Sequence, residues 1–178
     1  MFTIGNLIQN ISHGQSGIPT RLIFKQLDNV YFQLFPNIKL LKVIEKNNGT
    51  LVYLLIPSQN DKNKYYDIVF WFDTTTKLNN NVKFKVYSNS PNFGYSYAYL
   101  FNQNGSLLFP EKYPSIMIKQ PPKIRNPFQV TSFDKHVYAG FKFLFSQNLK
   151  ALSIMNQSSG SIHVASFNEK MKEIKKKK

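Results

Sequence analysis

From Phe93 to Phe101 every second residue is aromatic, Phe93, Tyr95, Tyr97, Tyr99 and Phe101, with Gly94, Ser96, Ala98 and Leu100 between them. Successive side chains of a strand point to opposite faces, so this period places all the rings on one side of a sheet and small groups on the other. Just upstream, Val82, Phe84 and Val86 alternate with Lys83 and Lys85, the pattern of a strand with one buried and one wet face. Ser88-Asn89-Ser90-Pro91-Asn92 separates the two stretches and Asn102-Gln103-Asn104-Gly105 ends the second, both with turn chemistry. These signals together predict the centre of an antiparallel sheet.

The rest of the chain reads in the same way. Arg21 to Val43 holds three apolar runs broken by Asp28-Asn29 and Pro36-Asn37, which predicts short strands, with a helical turn as the alternative near Ile38 to Glu45. Asn48-Gly49 supplies the positive φ angles of a tight hairpin turn, and Leu51 to Ile56 follows as an apolar strand stopped by Pro57. In Tyr65 to Asp73, Ile68, Phe70 and Phe72 share one face while Val69 and Trp71 share the other, which predicts a central strand. Phe133 to Phe145 is ambiguous. Val137, Phe141, Phe143 and Phe145 alternate, whereas Val137, Tyr138, Phe141 and Leu144 fit a helical face; Gly140 and the crowd of rings favour a strand.

Pro110, Pro114, Pro121, Pro122 and Pro127 fall close together, and proline has no amide proton for a ladder, so residues 110–128 are expected to form an extended arm. Ile116, Met117, Ile118 and Ile124 are its candidate contacts to other proteins. Gln147 to Asn156 reads as a short helix or turn, and residues 158–161 as a linker. In the tail, Ser166 with Glu169 makes a capping box, and Phe167, Met171 and Ile174 recur on one face of a short basic helix. The resulting expectation is a mainly β protein: an antiparallel sandwich or barrel-like single domain over residues 1–157 with an extended proline-rich arm, then a linker and a short C-terminal helix over residues 158–178.

Charge narrows the partners. The formal net charge is +14 and the pI about 9.9, which favours polyanionic neighbours such as nucleic acid, acidic protein surfaces or anionic lipid. Six lysines and two glutamates fall in residues 166–178, so without them the charge drops only to +10, and the body is basic as well. Arg21 and Arg125 are the only arginines; lysine is a mobile point charge, so if nucleic acid is the partner, contact to its backbone is expected and reading of bases is not. The candidate polyanion contacts are Lys83, Lys85, Lys170, Lys172, Lys175, Lys176, Lys177 and Lys178. Tyr95, Tyr97 and Tyr99 beside Lys83 and Lys85 offer a second use of the ladder, as a platform on which bases stack.

Catalytic chemistry is thinly supplied. With no cysteine, disulfides, thiolate metal sites and a thiol nucleophile are excluded together. Nine carboxylates and three histidines remain, and no histidine pair has the spacing of ligands on one helix face. His136 with Asp134 is a candidate oriented base, weighed against a surface salt-linked pair. Asp67 and Asp73 would lie about 20 Å apart on one strand, too far to share a proton or a metal. Gly14 and Gly17 lack the Lys-Ser/Thr ending of a phosphate loop, and Pro19 follows at once. No cofactor, metal or catalytic residue is therefore expected. The first residues lack the basic flank and apolar run of a secretory signal, and no stretch of about 18 apolar residues exists to span a bilayer, so no membrane partner is expected either.

Between Leu51 and Phe145, in Ser88-Asn89-Ser90-Pro91, the aromatic ladder and Arg125-Asn126-Pro127, the chain resembles small structural proteins of tailed bacteriophages of low-GC bacteria. The resemblance implies a non-enzymatic virion component of the head or head-to-tail junction, present in many copies. Its partners would be other virion proteins and the backbone of packaged DNA, and it would reside in the host cytoplasm before assembly. The alternative function is a single-stranded nucleic-acid binder without sequence preference.

Overall fold

The computed structural model describes residues 1–14, 20–46, 49–61, 63–126, 129, 132–159 and 162–163. The fold is mixed α and β, which corrects the expectation of a mainly β sandwich or barrel. In chain order its elements are α1 (Ile4–Gly14), α2 (Thr20–Leu34), β1 (Lys39–Lys46), β2 (Gly49–Pro57), β3 (Tyr65–Phe72), β4 (Phe84–Ser88), α3 (Pro91–Ser96), α4 (Ala98–Gln103), α5 (Ser115–Lys119), α6 (Lys135–Phe145), α7 (Leu149–Ser159) and β5 (Ile162–His163). The strands form one antiparallel sheet in the order β4-β3-β2-β1-β5.

The sheet is built where alternation places it. Val52, Leu54 and Ile56 of β2, Ile68, Phe70 and Phe72 of β3, and Phe84 and Val86 of β4 are all fully buried on one face. That face is covered by α6. Phe141 lies 4.6 Å from Phe70, 5.9 Å from Phe72 and 4.9 Å from Phe84 between ring centroids. Gly140 permits the close approach, since a Cβ there would sit 2.7 Å from Phe70 Cε2 and 3.3 Å from Leu54 Cδ1. Helix α2 then packs on α6, where Phe24 meets Tyr138 and Asp28 Oδ1 accepts from Tyr138 Oη at 2.5 Å and from Lys142 Nζ at 2.9 Å. The layers are therefore α2, α6 and the sheet.

The aromatic ladder is helical, not a strand. Residues spaced by two are also spaced by four, and Phe93, Tyr97 and Phe101 follow the helical repeat. Phe93, Gly94, Ala98 and Phe101 are buried while Tyr95 faces solvent, which is the burial pattern of a helix. Phe93 and Phe101 rings meet at 5.3 Å. Pro91 sits in the first turn of α3, where its missing N–H is not needed. The amides of Tyr97 and Phe101 donate to Phe93 O and Tyr97 O, carrying the hydrogen bonding across the α3–α4 junction.

The Phe133 to Phe145 stretch is α6. Asp134 caps it, its carboxylate accepting from the amides of His136 and Val137 at 3.0 and 3.4 Å. Its eight buried residues run from His136 to Leu144, so a pattern with little polar contrast reads as either period. Likewise α2 buries Ile23, Tyr31 and Leu34 on a helical stripe, where apolar runs predict short strands, and Ile38 to Glu45 lies in β1 apart from its first residue. The proline-rich stretch does not extend away. Pro110–Lys112 is a 3-10 turn, Met117 of α5 packs against Gly94, and Asn102 Nδ2 and Asn126 Nδ2 donate to Ile118 O and Ser96 O. The C-terminal capping box and basic helix lie outside the described residues.

Both long edges of the sheet are partly paired outside the main strands. Along β4, Phe84 N donates to Phe2 O, Val86 N to Ser106 O, and Leu108 N to Val86 O. Along β1 a bulge lies between Leu40 and Lys42. There Asn156 of α7 accepts from Val43 N at 3.0 Å and donates to Leu41 O at 3.3 Å, next to the short pairing with β5.

Candidate functional site

With the helices on one face, the other face of the sheet carries the side chains of opposite parity. Register aligns them in rows across the strands. One row runs Lys42, Tyr53, Val69, Tyr87 and the next Ile44, Leu51, Trp71, Lys85, each from β1 to β4. A third holds Lys39, Leu55 and Asp67. Both complete rows end on a lysine, Lys42 on β1 and Lys85 on β4. Tyr53 and Trp71 lie on the two central strands and are diagonal neighbours, about 7–8 Å apart.

Most of the rings are half-buried and held by local contacts. Tyr53 Oη donates to Asp67 Oδ1, and Asn89 Nδ2 donates to Asp67 Oδ2 at 2.6 Å. The hydrogen bond to Asp67, with burial adding to it, pushes the Tyr53 hydroxyl up to about 12. Burial, with the Asp67 charge adding to it, also raises Tyr87. The one carboxylate in these rows is thus committed to two neighbours. Lys39 Nζ lies 4.7 Å from the centre of the Tyr65 ring, a cation–π contact at the same end of the sheet. Lys39, Lys42, Lys46 and Lys85 oppose Asp67 within the strands, with Asp73 just beyond the end of β3, so the face carries more cations than carboxylates around an aromatic and aliphatic centre.

Of the candidates named from sequence, Lys85 stands on this face opposite Trp71, and Lys83 lies two residues earlier with the same parity, its amide donating to Asp73 Oδ1. Lys170, Lys172, Lys175, Lys176, Lys177 and Lys178 lie outside the described residues. Tyr95, Tyr97 and Tyr99 do not line up as a strand platform, because they lie on and between α3 and α4. The rings that share the sheet's second face are instead Tyr53, Trp71 and Tyr87, the last packed against Phe109 and Tyr113. The signal that locates them is the run of strands Leu51 to Ile56, Tyr65 to Asp73 and Val82 to Tyr87, once one face is assigned to helices.

A second surface lies beside α3. Tyr95, Tyr99, Ile116, Pro121, Ile124 and Arg125 border an apolar groove of about 530 Å³, with the Arg125 guanidinium 5.6 Å from the Tyr95 ring centre. Ile116 is 61 % and Ile124 92 % exposed, whereas Met117 and Ile118 pack partly against the core.

His136 and Asp134 form a buried pair and not a surface one. Nδ1 lies 3.3 Å from Asp134 Oδ1, the imidazole packs on the Tyr66 ring at 4.6 Å, and Nε2 is enclosed with no hydrogen-bonding partner among the described residues. Burial disfavours the Asp134 charge, but hydrogen bonds from His136 and Asn92 outweigh it and hold the carboxyl below its ordinary range. The carboxylate is used as a helix cap, and the imidazole is enclosed in the core. Asp67 and Asp73 are each engaged with separate partners. Among the described residues no group of three or more metal-ligating side chains converges, and no helix is long and apolar enough to cross a membrane. No protein-family model, no curated protein and no solved structure matches this chain.

Proposed function

We propose that this protein binds single-stranded nucleic acid without sequence preference, on the open face of its sheet. The observation that carries the reading is the cross-strand register: Tyr53 and Trp71 on the central strands, with Lys42 on β1 and Lys85 on β4 closing their rows at opposite ends. Unpaired bases stack on aromatic side chains whatever their identity, and lysines follow the phosphates. Asp67, tied to Tyr53 and Asn89, orients a ring more than it opposes the strand.

The test is anisotropy of a fluorescein-labelled dT12 across a salt series. Contact through Lys39, Lys42, Lys46 and Lys85 sets a slope of log K against log salt of about −3, at about −0.7 per phosphate neutralised. Salt-independent binding, or none at low salt, overturns the reading.

A second reading, the virion structural component implied by resemblance, draws support from the exposed Ile116 and Ile124 beside the Tyr95 groove. Such assembly would use this side-chain surface. Light scattering of the purified chain with and without Ile116→Glu and Ile124→Glu tests it; a monomer at all concentrations counts against it.

A further inference from the structure

Where the second row meets the β1–β2 turn, Ile44, Lys46, Leu51 and Trp71 enclose a pocket of about 290 Å³. That is near the lower end of the volumes small-molecule sites occupy. Ile44 and Leu51 are directly paired and make its aliphatic floor, with Ile44 37 % exposed. Lys46 pairs with Gly49 at the same end. Gly49 is what lets the indole lie down: a Cβ there would come within 2.8 Å of Trp71 Nε1 and 2.7 Å of Phe72 O.

An aromatic wall, an aliphatic floor and one ammonium complement a flat, apolar-faced group that carries an adjoining negative charge. A nucleobase with its phosphate has that chemistry. Resting on the reading of this face as a single-strand surface, we infer that the pocket seats one unstacked base against Trp71, with the neighbouring phosphate on Lys46. A base in a duplex has both faces covered by its stack and its edge by its partner, so the pocket makes an unpaired strand a requirement. Among the described residues no carboxylate, amide or hydroxyl side chain lines it. Trp71, Ile44 and Leu51 thus meet the flat face of the base.

Trp71 is the only tryptophan in the chain, so its emission reports on this pocket alone. The experiment titrates the full chain with dT12, following Trp71 fluorescence with unlabelled strand and anisotropy with labelled strand. Quenching should track binding, and a duplex of equal length should not quench. Trp71→Leu is expected to weaken dT12 binding about tenfold, the range for loss of one stacked base. Gly49→Ala, which displaces the indole and keeps every lysine, should also weaken it, as should Lys46→Ala on the exposed rim. Circular dichroism identifies any variant that unfolds, and Lys46→Ala then carries the test. Binding with unchanged Trp71 emission, or full affinity in the folded variants, overturns the pocket and leaves the lysine-bordered face standing. Absence of any dT12 binding overturns both.

Discussion

Tyr113 Oη accepts a hydrogen bond from Ser88 N at 2.9 Å and donates one to Ser88 O at 2.8 Å, so one side chain satisfies both backbone groups of Ser88. It does so where β4 ends, next to the segments of Phe2 and Ser106–Leu108 that pair with the rest of that edge. A phenol thus stands in for the next strand. Tyr113→Phe keeps the ring packed on Tyr87 and Phe93 and removes both hydrogen bonds. Each buried backbone group left unpaired costs about 1–3 kcal/mol. Urea denaturation should show a loss of at least the lower figure, and sedimentation should show new self-association through the opened edge.

The tyrosines make the fold sensitive to alkali. Burial, with the charge of Asp28 or Asp134 adding to it, pushes Tyr31 and Tyr97 from 10.0 up to about 12, and the bond to Asp67 does the same for Tyr53. Burial raises Tyr113 and Tyr138 further. A group raised on folding contributes stability that is complete below its unfolded value and disappears as pH climbs through its folded value. Stability should therefore hold to about pH 10 and fall between about pH 10 and 12. Urea midpoints across that range, with tyrosinate absorbance to show delayed ionisation in the folded chain, check it.

Gly140→Ala sets helix propensity against packing. Alanine gains about 1 kcal/mol in a helix interior. Its Cβ, however, would lie 2.7 Å from Phe70, which is fully buried and held between Phe72 and Phe141. Overpacking of a tight core costs about 1–3 kcal/mol. The expected outcome is a net loss of stability in thermal or urea unfolding, opposite in sign to the same change on an exposed helix.

Lysines on the open face should differ from lysines elsewhere. Lys42→Glu with Lys85→Glu should weaken dT12 binding more than tenfold and flatten the salt slope by about 1.4, the share of two phosphate contacts. Lys119→Glu with Lys123→Glu, beside the Tyr95 groove, changes net charge equally. Its affinity should change far less. Equal losses in the two pairs would assign binding to net charge and not to the sheet.

Strand β4 was legible because a half-buried strand leaves alternating residues, as from Val82 to Val86, whereas β2 and β3 were legible as short apolar runs bounded by Asn48-Gly49, Pro57 and Asp73. From Phe93 to Phe101 the same period misleads, since a spacing of two contains the spacing of four, and only the packing of Phe93 and Phe101 together selects the helix. In α6 nearly every residue is buried, which removes the polar contrast that reveals a period. Net charge favours polyanions in general and locates no site for one.

The sequence by itself determined the alternation of the sheet, its aromatic core, its positive charge and the poor supply of acid–base groups, all of which are properties of residues or near neighbours. Tertiary structure alone decided which face of the sheet the helices cover, and hence that Tyr53, Trp71, Lys42 and Lys85 remain on one open surface. That choice depends on Phe141 and Gly140 meeting Phe70 across about seventy residues of chain. Local propensity carries no information about contacts at such separation, because they form only when the whole core closes.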